Sequence, residues 1–440
     1  MLGLTTSSKN RPRRSRPSPI ASLFIVAFLV CLGAGLYLAV ASRVPESAVS
    51  PAAGSDDGAE ESDLLPTRLV DVRQYRGPSF GLSGHHATQS QNQSKLWYAA
   101  GSWWGVLLDE RSQTTRIFKW SGHTWRDTGV VVDLRARSYA DVVWERGQLF
   151  IASRISNGSS YLTHFRLEGG TWKSVTAFPR TIARGGSRSL SIAVDSRERV
   201  WAVFVRDGRV WSTHSAPGGS NFVPETLLPG PNAVHYDDTA AVAALRGQIV
   251  FMWSDQVTGA FRFAIRRDDA PTNEVNLGKP PMRGLRIADG HLDLATTRDG
   301  RLIAAVKTSL GDADRDPPRS PLIVVLERSA KGTWSRHVVA TTADAMTRPQ
   351  MVVTADQRTL FLFAASPQKG GDIYLKVASL KNLSFAPGKG TLIMRRGPAG
   401  KLNDVTTGRT RVTNKTRVVV LASDAPRARY HTTEFTISKQ

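Results

Sequence analysis

Residues 190–228 read LSIAVDSRERVWAVFVRDGRVWSTHSAPGGSNFVPETLL, and the pattern of this stretch decides the fold. Residues 190–194 form a short apolar strand and 195–199 a polar turn. A strongly hydrophobic second strand follows at 200–205, a third at 210–214 and a fourth at 225–228. β-branched and aromatic residues bounded by Asp, Gly and Asn favour short strands, and no helical period survives across the stretch. Four antiparallel strands in one compact unit make one blade of a β-propeller.

Working outward, the same unit recurs at a spacing of roughly 45–58 residues, within the range of propeller repeats. Its other copies span 95–132, 140–178, 239–277, 291–341, 350–393 and 403–437. Trp103 and Trp104 open the second strand of the first copy, and a Gly-x-Trp-like signal introduces fourth strands at Trp125, Trp172 and Trp334. These aromatics are expected to pack between blades. The last copy stops after three strands. Residues 67–72, TRLVDV, alternate suitably to supply the fourth, and such closure leaves the ring no open edge. The expectation is an all-β, seven-bladed propeller over residues 67–440, preceded by one transmembrane helix.

That helix is read at 20–42, about 23 uncharged apolar or small residues, enough to span a hydrocarbon core. Lys9, Arg11, Arg13, Arg14 and Arg16 precede it, so residues 1–19 are expected in the cytoplasm and everything after Arg43 outside. A cleaved signal peptide, with Ala39-Val40-Ala41 as its processing site, is the competing reading; the apolar run exceeds the ~7–15 residues of a signal core. Residues 43–66, rich in Ser, Ala, Gly, Pro and acid, read as a disordered linker. Cys31 is the single cysteine and lies in the apolar run. The exported part therefore holds no disulfide, no thiolate metal site and no cysteine nucleophile, a composition expected of a bacterial envelope protein.

The formal charge is +21, and the six basic and six acidic residues before Thr67 cancel. The excess belongs to the propeller and favours anionic partners through a salt-sensitive field. Outside a cell these are acidic polysaccharides, cell-wall polymers or lipid head groups; nucleic acid is not an expected partner.

Propeller geometry brings the starts of first strands and the ends of second strands to one mouth, the default place for a binding site. Lys95, Asp141, Arg188, Asp237, Asp238, His291, Arg348, Asn403 and Asp404 lie at first-strand starts. Asp109, Arg154, Asp255, Lys307, Ser309, Ser366 and Asp424 lie at second-strand ends, while His85, His86, His235 and Tyr236 stand just outside the blades. Mixed carboxylates, imidazoles and cations support acid–base chemistry. His291, Asp238 and Asp404 are the catalytic candidates: His291 as proton carrier, Asp238 as its orienting or acid–base partner. Lys95, Asp141, Arg188, Asp237, Lys307, Arg348 and Asn403 are the ligand-binding candidates, with Arg348 and Lys307 expected to hold a carboxylate or phosphate. Asp141 and Lys95 are expected to complete the cavity wall.

The runs SKLWYAAGSWWGVLLDE from Ser94, ADVVWERGQLFIAS from Ala140, DDTAAVAAL from Asp237, IAAVKTS from Ile303, TRPQMVV from Thr347 and NDVTT from Asn403 form a set. On these runs the chain resembles a group of bacterial sialidase-like propeller proteins. The resemblance implies a propeller with a shared ligand site. It does not imply sialidase activity, because the arginine triad and Tyr/Glu pair of that family do not assemble here; Arg188 and Arg348 alone could begin a carboxylate clamp. Asp207-Gly208 and Asp299-Gly300 are fragments of the family's turn. No His-Glu-x-x-His motif occurs, and no nucleophile elbow is expected, because the one Gly-x-Ser-x-Gly string, at 77–81, leads into no helical pattern. Asp312, Asp314 and Asp316 start like a calcium loop, but Pro317 and Ile323 stand where Gly and Glu belong. No metal or cofactor is expected. Two readings stay open: a membrane-anchored protein that binds an anionic glycan or envelope polymer at the mouth, with lyase or hydrolase chemistry where it cleaves, and a non-catalytic scaffold for envelope proteins.

Overall fold

The computed structural model describes residues 68–438 apart from 90, 91, 232, 272, 273, 313–315, 410, 411, 414 and 415. The anchor, tail and linker expected at 1–66 lie outside the described residues. No helix among the described residues is long and apolar enough to cross a membrane.

Seven antiparallel sheets form a seven-bladed propeller. Blade 1 opens with inner strand Leu96–Ala99, blade 2 with Tyr139–Glu145, blade 3 with Ser189–Val194 and blade 4 with Ala240–Leu245. Blades 5, 6 and 7 open with Leu292–Thr296, Thr347–Val353 and Leu402–Thr406. The inner strands use small residues, such as Ala193, Ala240 and Ala241, where seven chains crowd the axis. Second strands such as Arg199–Arg206 and Thr359–Ser366 are almost wholly buried because both faces pack on neighbouring blades. The tryptophans pack as expected: Trp97, Trp104 and Trp144 each meet Trp172 edge-on between blades 1 and 2.

The ring closes as the alternation at 67–72 predicts, by a longer strand. Arg68–Ser79 is the outermost strand of blade 7 and pairs antiparallel with Arg429–Ser438. Two outer edges differ from the sequence reading. In blade 2, Thr171–Ser174 and Arg180–Ala183 pair with different parts of Ser160–Glu168, so the blade runs past Phe178. In blade 4, Asn276–Leu277 and Met282–Arg283 likewise share Ala260–Arg267, separated by Pro280 and Pro281, which have no N–H for the ladder.

An inner strand is an edge whose backbone faces the channel, and side chains of neighbouring blades satisfy it. Asp141 accepts from the Ile192 N–H at 2.8 Å, and Asp293 from the Met351 N–H at 2.7 Å. The segment leading into blade 1 crosses the axis and adds to this lacing. Asn92 donates to the Ala240 carbonyl, Gln93 to the Leu190 carbonyl at 2.7 Å, and the Ser94 hydroxyl to the Thr407 carbonyl at 2.6 Å. Residues 92–95 thus tie blades 4, 3 and 7 to blade 1 and close the channel from the side of the first-strand starts.

Candidate functional site

The mouth at the first-strand starts holds a compact polar group centred on blades 5, 6 and 7. His291 precedes the inner strand of blade 5, and its Nδ1 is hydrogen-bonded to Asp289. Asp289 also accepts from Lys307 Nζ at 2.7 Å, while the other donors of that ammonium go to the Thr308 carbonyl at 3.0 Å and Asp312 at 3.3 Å. An ammonium has three donors, so Lys307 is fully used inside the protein. Its expected role as a ligand clamp is replaced by that of a counter-ion to Asp289. Burial alone would raise the Asp289 carboxyl; the charges of His291 and Lys307 outweigh it and hold the group well below the carboxylate range. With Nδ1 committed to Asp289, the exchangeable position is Nε2, which is buried and has no hydrogen-bond partner among the described residues.

Arg348 is the second residue of the inner strand of blade 6 and Asp404 the third of that of blade 7. Both have left-handed backbone, φ 55° and 51°, at bulges where the pairing register shifts. Bulges re-aim side chains, and non-glycine residues persist in this conformation only where surrounding structure holds them. Here they form an ion pair across the blade boundary, Nε to Oδ1 2.8 Å, although the N–H is not aligned for a hydrogen bond. His86 Nδ1 meets the other carboxylate oxygen at 3.0 Å. Burial would raise Asp404; the Arg348 charge and His86 overcome it and hold the group down. His291 lies within electrostatic reach of Asp404.

Tyr139, at the start of the blade 2 inner strand, completes this mouth. Its hydroxyl is 3.5 Å from His85 Nδ1, and the Arg154 guanidinium lies 4.8 Å over its ring. Burial raises the Tyr139 hydroxyl above its ordinary value, against the nearby Arg154 charge, and lowers His85 to about 4. Arg188 and Asp237 pair with each other on the exposed rim.

The remaining candidates are structural in their placement. Asp238 is fully buried in a turn, where its carboxylate accepts from His235 N at 2.7 Å, Gln256 N at 3.1 Å and Gln256 Nε2 at 3.0 Å. It does not orient His291; Asp289 does. Asp141 and Lys95 sit below the mouth within the lacing rather than on its wall. Asp141 accepts from Ser94 N and Ile192 N, each at 2.8 Å, and pairs with Arg409 at 3.2 Å. Lys95 donates to Gln93 at 2.8 Å and to the Ala140 carbonyl, and burial lowers its ammonium to about 7. Asn403 is 5% exposed, and its side-chain oxygen is buried with no hydrogen-bond partner among the described residues. No group of three or more His, Cys, Asp or Glu among the described residues is placed to hold a metal. Of the calcium-like loop, Asp312 bonds Lys307, Asp316 pairs with Arg286, and Asp314 lies outside the described residues.

Sequence reading missed Asp289 and left Tyr139 out. A signal for the first exists: in Asp289-Gly290-His291 the carboxylate stands two residues before the imidazole, close enough to reach its Nδ1.

The mouth at the other end is different. There the channel opens as a cavity of about 690 Å³, walled by Val142, Ile192, Val242, Leu294 and Met351, with Arg409 at its inner end.

No protein-family model matches the chain, and no curated protein matches it. Solved structures resemble it at low identity. A Dyadobacter fermentans protein of unknown function aligns with a TM-score of 0.44 and 13% identity, over 68% of this chain and 94% of that one. AofleA from Arthrobotrys oligospora gives 0.46 and 9%, over 73% and 87%. Trypanosoma rangeli sialidase in complex with sialic acid gives 0.40 and 11%, over 79% of this chain and 57% of the sialidase. Such likeness assigns no chemistry. Arg188 and Arg348, the two arginines that could begin a sialidase-like clamp, stand on blades 3 and 6, each paired with its own carboxylate.

Proposed function

We propose that the mouth at the first-strand starts binds an acidic glycan and cleaves it by β-elimination. The observation that carries this reading is the Lys307–Asp289–His291 relay, which fixes the imidazole and leaves its buried Nε2 without a partner. A ligand group reaching that nitrogen supplies a bond that no described residue offers. Hydrolysis fits less well. It calls for a carboxylic acid that keeps its proton near neutrality. Asp289 and Asp404 are both held down, and the two that burial raises, Asp238 and Asp293 (to about 6), are closed inside the fold, Asp238 in its turn and Asp293 accepting from Met351 N. Elimination from a uronate needs a base, a proton donor and a cation. His291 Nε2 takes the proton α to the carboxylate, and its electron pair forms the ring double bond. The adjoining C–O bond breaks and the leaving oxygen takes the Tyr139 proton, while Arg348 offsets the charge building on the carboxylate.

The fragment 67–440 is to be screened on a glycan array, and the hits assayed for an unsaturated product by ultraviolet absorbance. His291→Ala is expected to lower kcat by about 10²–10⁴, the usual range for an acid–base group, with its melting temperature unchanged. Binding without any unsaturated product would sink the elimination step; an empty array would sink the glycan reading as well.

One observation favours a non-catalytic scaffold instead. On adjoining loops of the same face, Tyr236 is 75%, Val257 62% and Leu285 90% exposed, an apolar rim suited to a protein partner. A partner role predicts that Leu285→Ser abolishes capture of that partner, whereas a glycan role leaves this variant active.

We also infer that residues 20–42 anchor the chain in the cytoplasmic membrane with the propeller outside, supported by the basic residues before the run and its length. A reporter active only outside the cytoplasm, fused after Gln440, is expected to be active, and the intact chain to stay with membranes through a high-salt wash. Release of a form starting near Ser42 would show a cleaved signal instead.

A further inference from the structure

Three cations of the first mouth are paired with carboxylates. Lys307 is bound to Asp289, Arg348 to Asp404 and Arg188 to Asp237. The arginines of the opposite mouth are not. That mouth is formed by the turns joining inner strands to second strands, tight in blades 1 to 6, and these turns touch one another from blade to blade. Arg146 of blade 2 approaches Glu198 of blade 3 at 3.8 Å. The Ser196 N–H reaches Asp268 at 3.1 Å, joining blades 3 and 4. Arg246 of blade 4 lies against Gly300 of blade 5. Arg298 N of blade 5 donates to Gln357 of blade 6 at 2.8 Å, and Ala355 N of blade 6 to the Val412 carbonyl of blade 7 at 2.7 Å.

Five successive turns, in blades 2 to 6, each carry an exposed arginine: Arg146, Arg197, Arg246, Arg298 and Arg358. Arg146 has only loose contacts, 3.7 Å to Glu145 and 3.8 Å to Glu198. Among the described residues the other four guanidinium groups have no ion pair. Of the acids nearby, Asp195 pairs with Arg199 at 2.6 Å, Asp299 with Arg301 at 2.9 Å, Asp356 accepts from the Thr354 hydroxyl at 2.7 Å and Asp268 from Ser196 N at 3.1 Å, while Glu145 and Glu198 lie beside Arg146. Like charges gathered on a ring repel, and a ring around a concavity with low-dielectric walls focuses its field into the opening. The cavity below is about 690 Å³, the size of a small-molecule site. Arg146 and Arg246 line it directly beside Glu145, Asp195 and Asp268, and Arg409 lines its inner end, bonded to the Asn92 carbonyl at 2.6 Å and to Asp141.

We propose that this opposite mouth is a second ligand site, separate from the glycan mouth, which takes a compact polyanion bearing several phosphate or carboxylate groups. The ligand body fills the well between the Val142, Val242 and Leu294 side chains, and its charged groups meet the arginine ring. Guanidinium groups suit both oxyanions because their planar fork matches either.

The test is calorimetric titration of the fragment 67–440 with two probes, tripolyphosphate for the phosphate arm and citrate for the carboxylate arm, with a neutral disaccharide as control. At least one probe is expected to bind, and to weaken as ionic strength rises from about 50 to about 200 mM, as screening requires. Arg246→Gln combined with Arg298→Gln is expected to weaken binding at least tenfold while melting like the parent, because neither guanidinium has an ion-pair partner among the described residues. His291→Ala is expected to bind as the parent does. Silence with both probes, parental affinity in the double arginine variant, or loss of binding in His291→Ala would each overturn the proposal. Because His291 stands at the other mouth, failure here leaves the glycan reading standing, and failure of the glycan reading leaves this one.

Discussion

Removal of residues 68–79 is expected to abolish cooperative unfolding of the propeller. The strand is paired along its length with Arg429–Ser438, from Arg68 opposite Ser438 to Ser79 opposite Arg429. It also holds the blades on either side. Gln74 exchanges two hydrogen bonds with the backbone of Arg395 in blade 6, at 2.7 and 2.9 Å. Tyr75 packs edge-on against Trp120 of blade 1 at 5.4 Å. Each ladder bond contributes about 1 kcal/mol net, and domains are stable by only about 5–15 kcal/mol, so losing the ladder with these contacts consumes most of that margin. The deletion also bares a long strand edge, which invites pairing between molecules. Thermal unfolding followed by circular dichroism should show no sharp transition for the truncated chain, and size exclusion should show aggregate. A synthetic peptide of residues 68–79 added during refolding should restore part of the monomer. A truncated chain that melts like the parent would mean that the velcro between the chain's two ends is dispensable to the ring.

This closure was legible because it follows from a count. Six copies of the unit have four strands, the seventh has three, and TRLVDV alternates with the right period. Inner and second strands were legible for the same reason: seven-fold crowding at the axis forces small and apolar residues into regular runs. The split outer strands of blades 2 and 4 were not. Outer strands are partly exposed and short, so Asn276–Leu277 and Met282–Arg283 leave little hydrophobic period to read. At the candidate site, placement along strands located His291, Lys307, Arg348 and Asp404 at one end of the ring. Pairing was beyond it. Whether Lys307 faces a ligand or Asp289 depends on side-chain directions and on which carboxylate lies nearest, and Asp238 and Asp289 look alike in sequence. The lacing across the axis was equally hidden, since Asn92 meets Ala240 only because a ring brings distant blades together.

That lacing gives the second large effect. Asp141→Ala is expected to destabilise the propeller by about 3–5 kcal/mol, the usual consequence of breaking a buried ion pair from one side. The carboxylate is fully buried and binds two backbone N–H groups of different blades, Ser94 and Ile192, besides Arg409. Its loss leaves those donors and a guanidinium without their acceptor at the centre of the ring, beside the buried Lys95 ammonium. Asp141→Ala with Arg409→Met should recover part of the loss in urea denaturation, because the uncompensated guanidinium then goes too; no recovery would assign the effect to the backbone donors alone. The pH profile gives a second readout. Burial lowers Lys95 from 10.5 to about 7 in the fold, and the Asp141 charge opposes that lowering. Between these values the unfolded chain binds the proton and the folded one does not, so the Lys95 contribution to stability rises with pH across that window and is flat below it. Without Asp141 the folded Lys95 releases its proton at still lower pH. The rise should then begin further into the acid range, and a variant whose stability follows the parent's profile would show that Asp141 and Lys95 are not coupled.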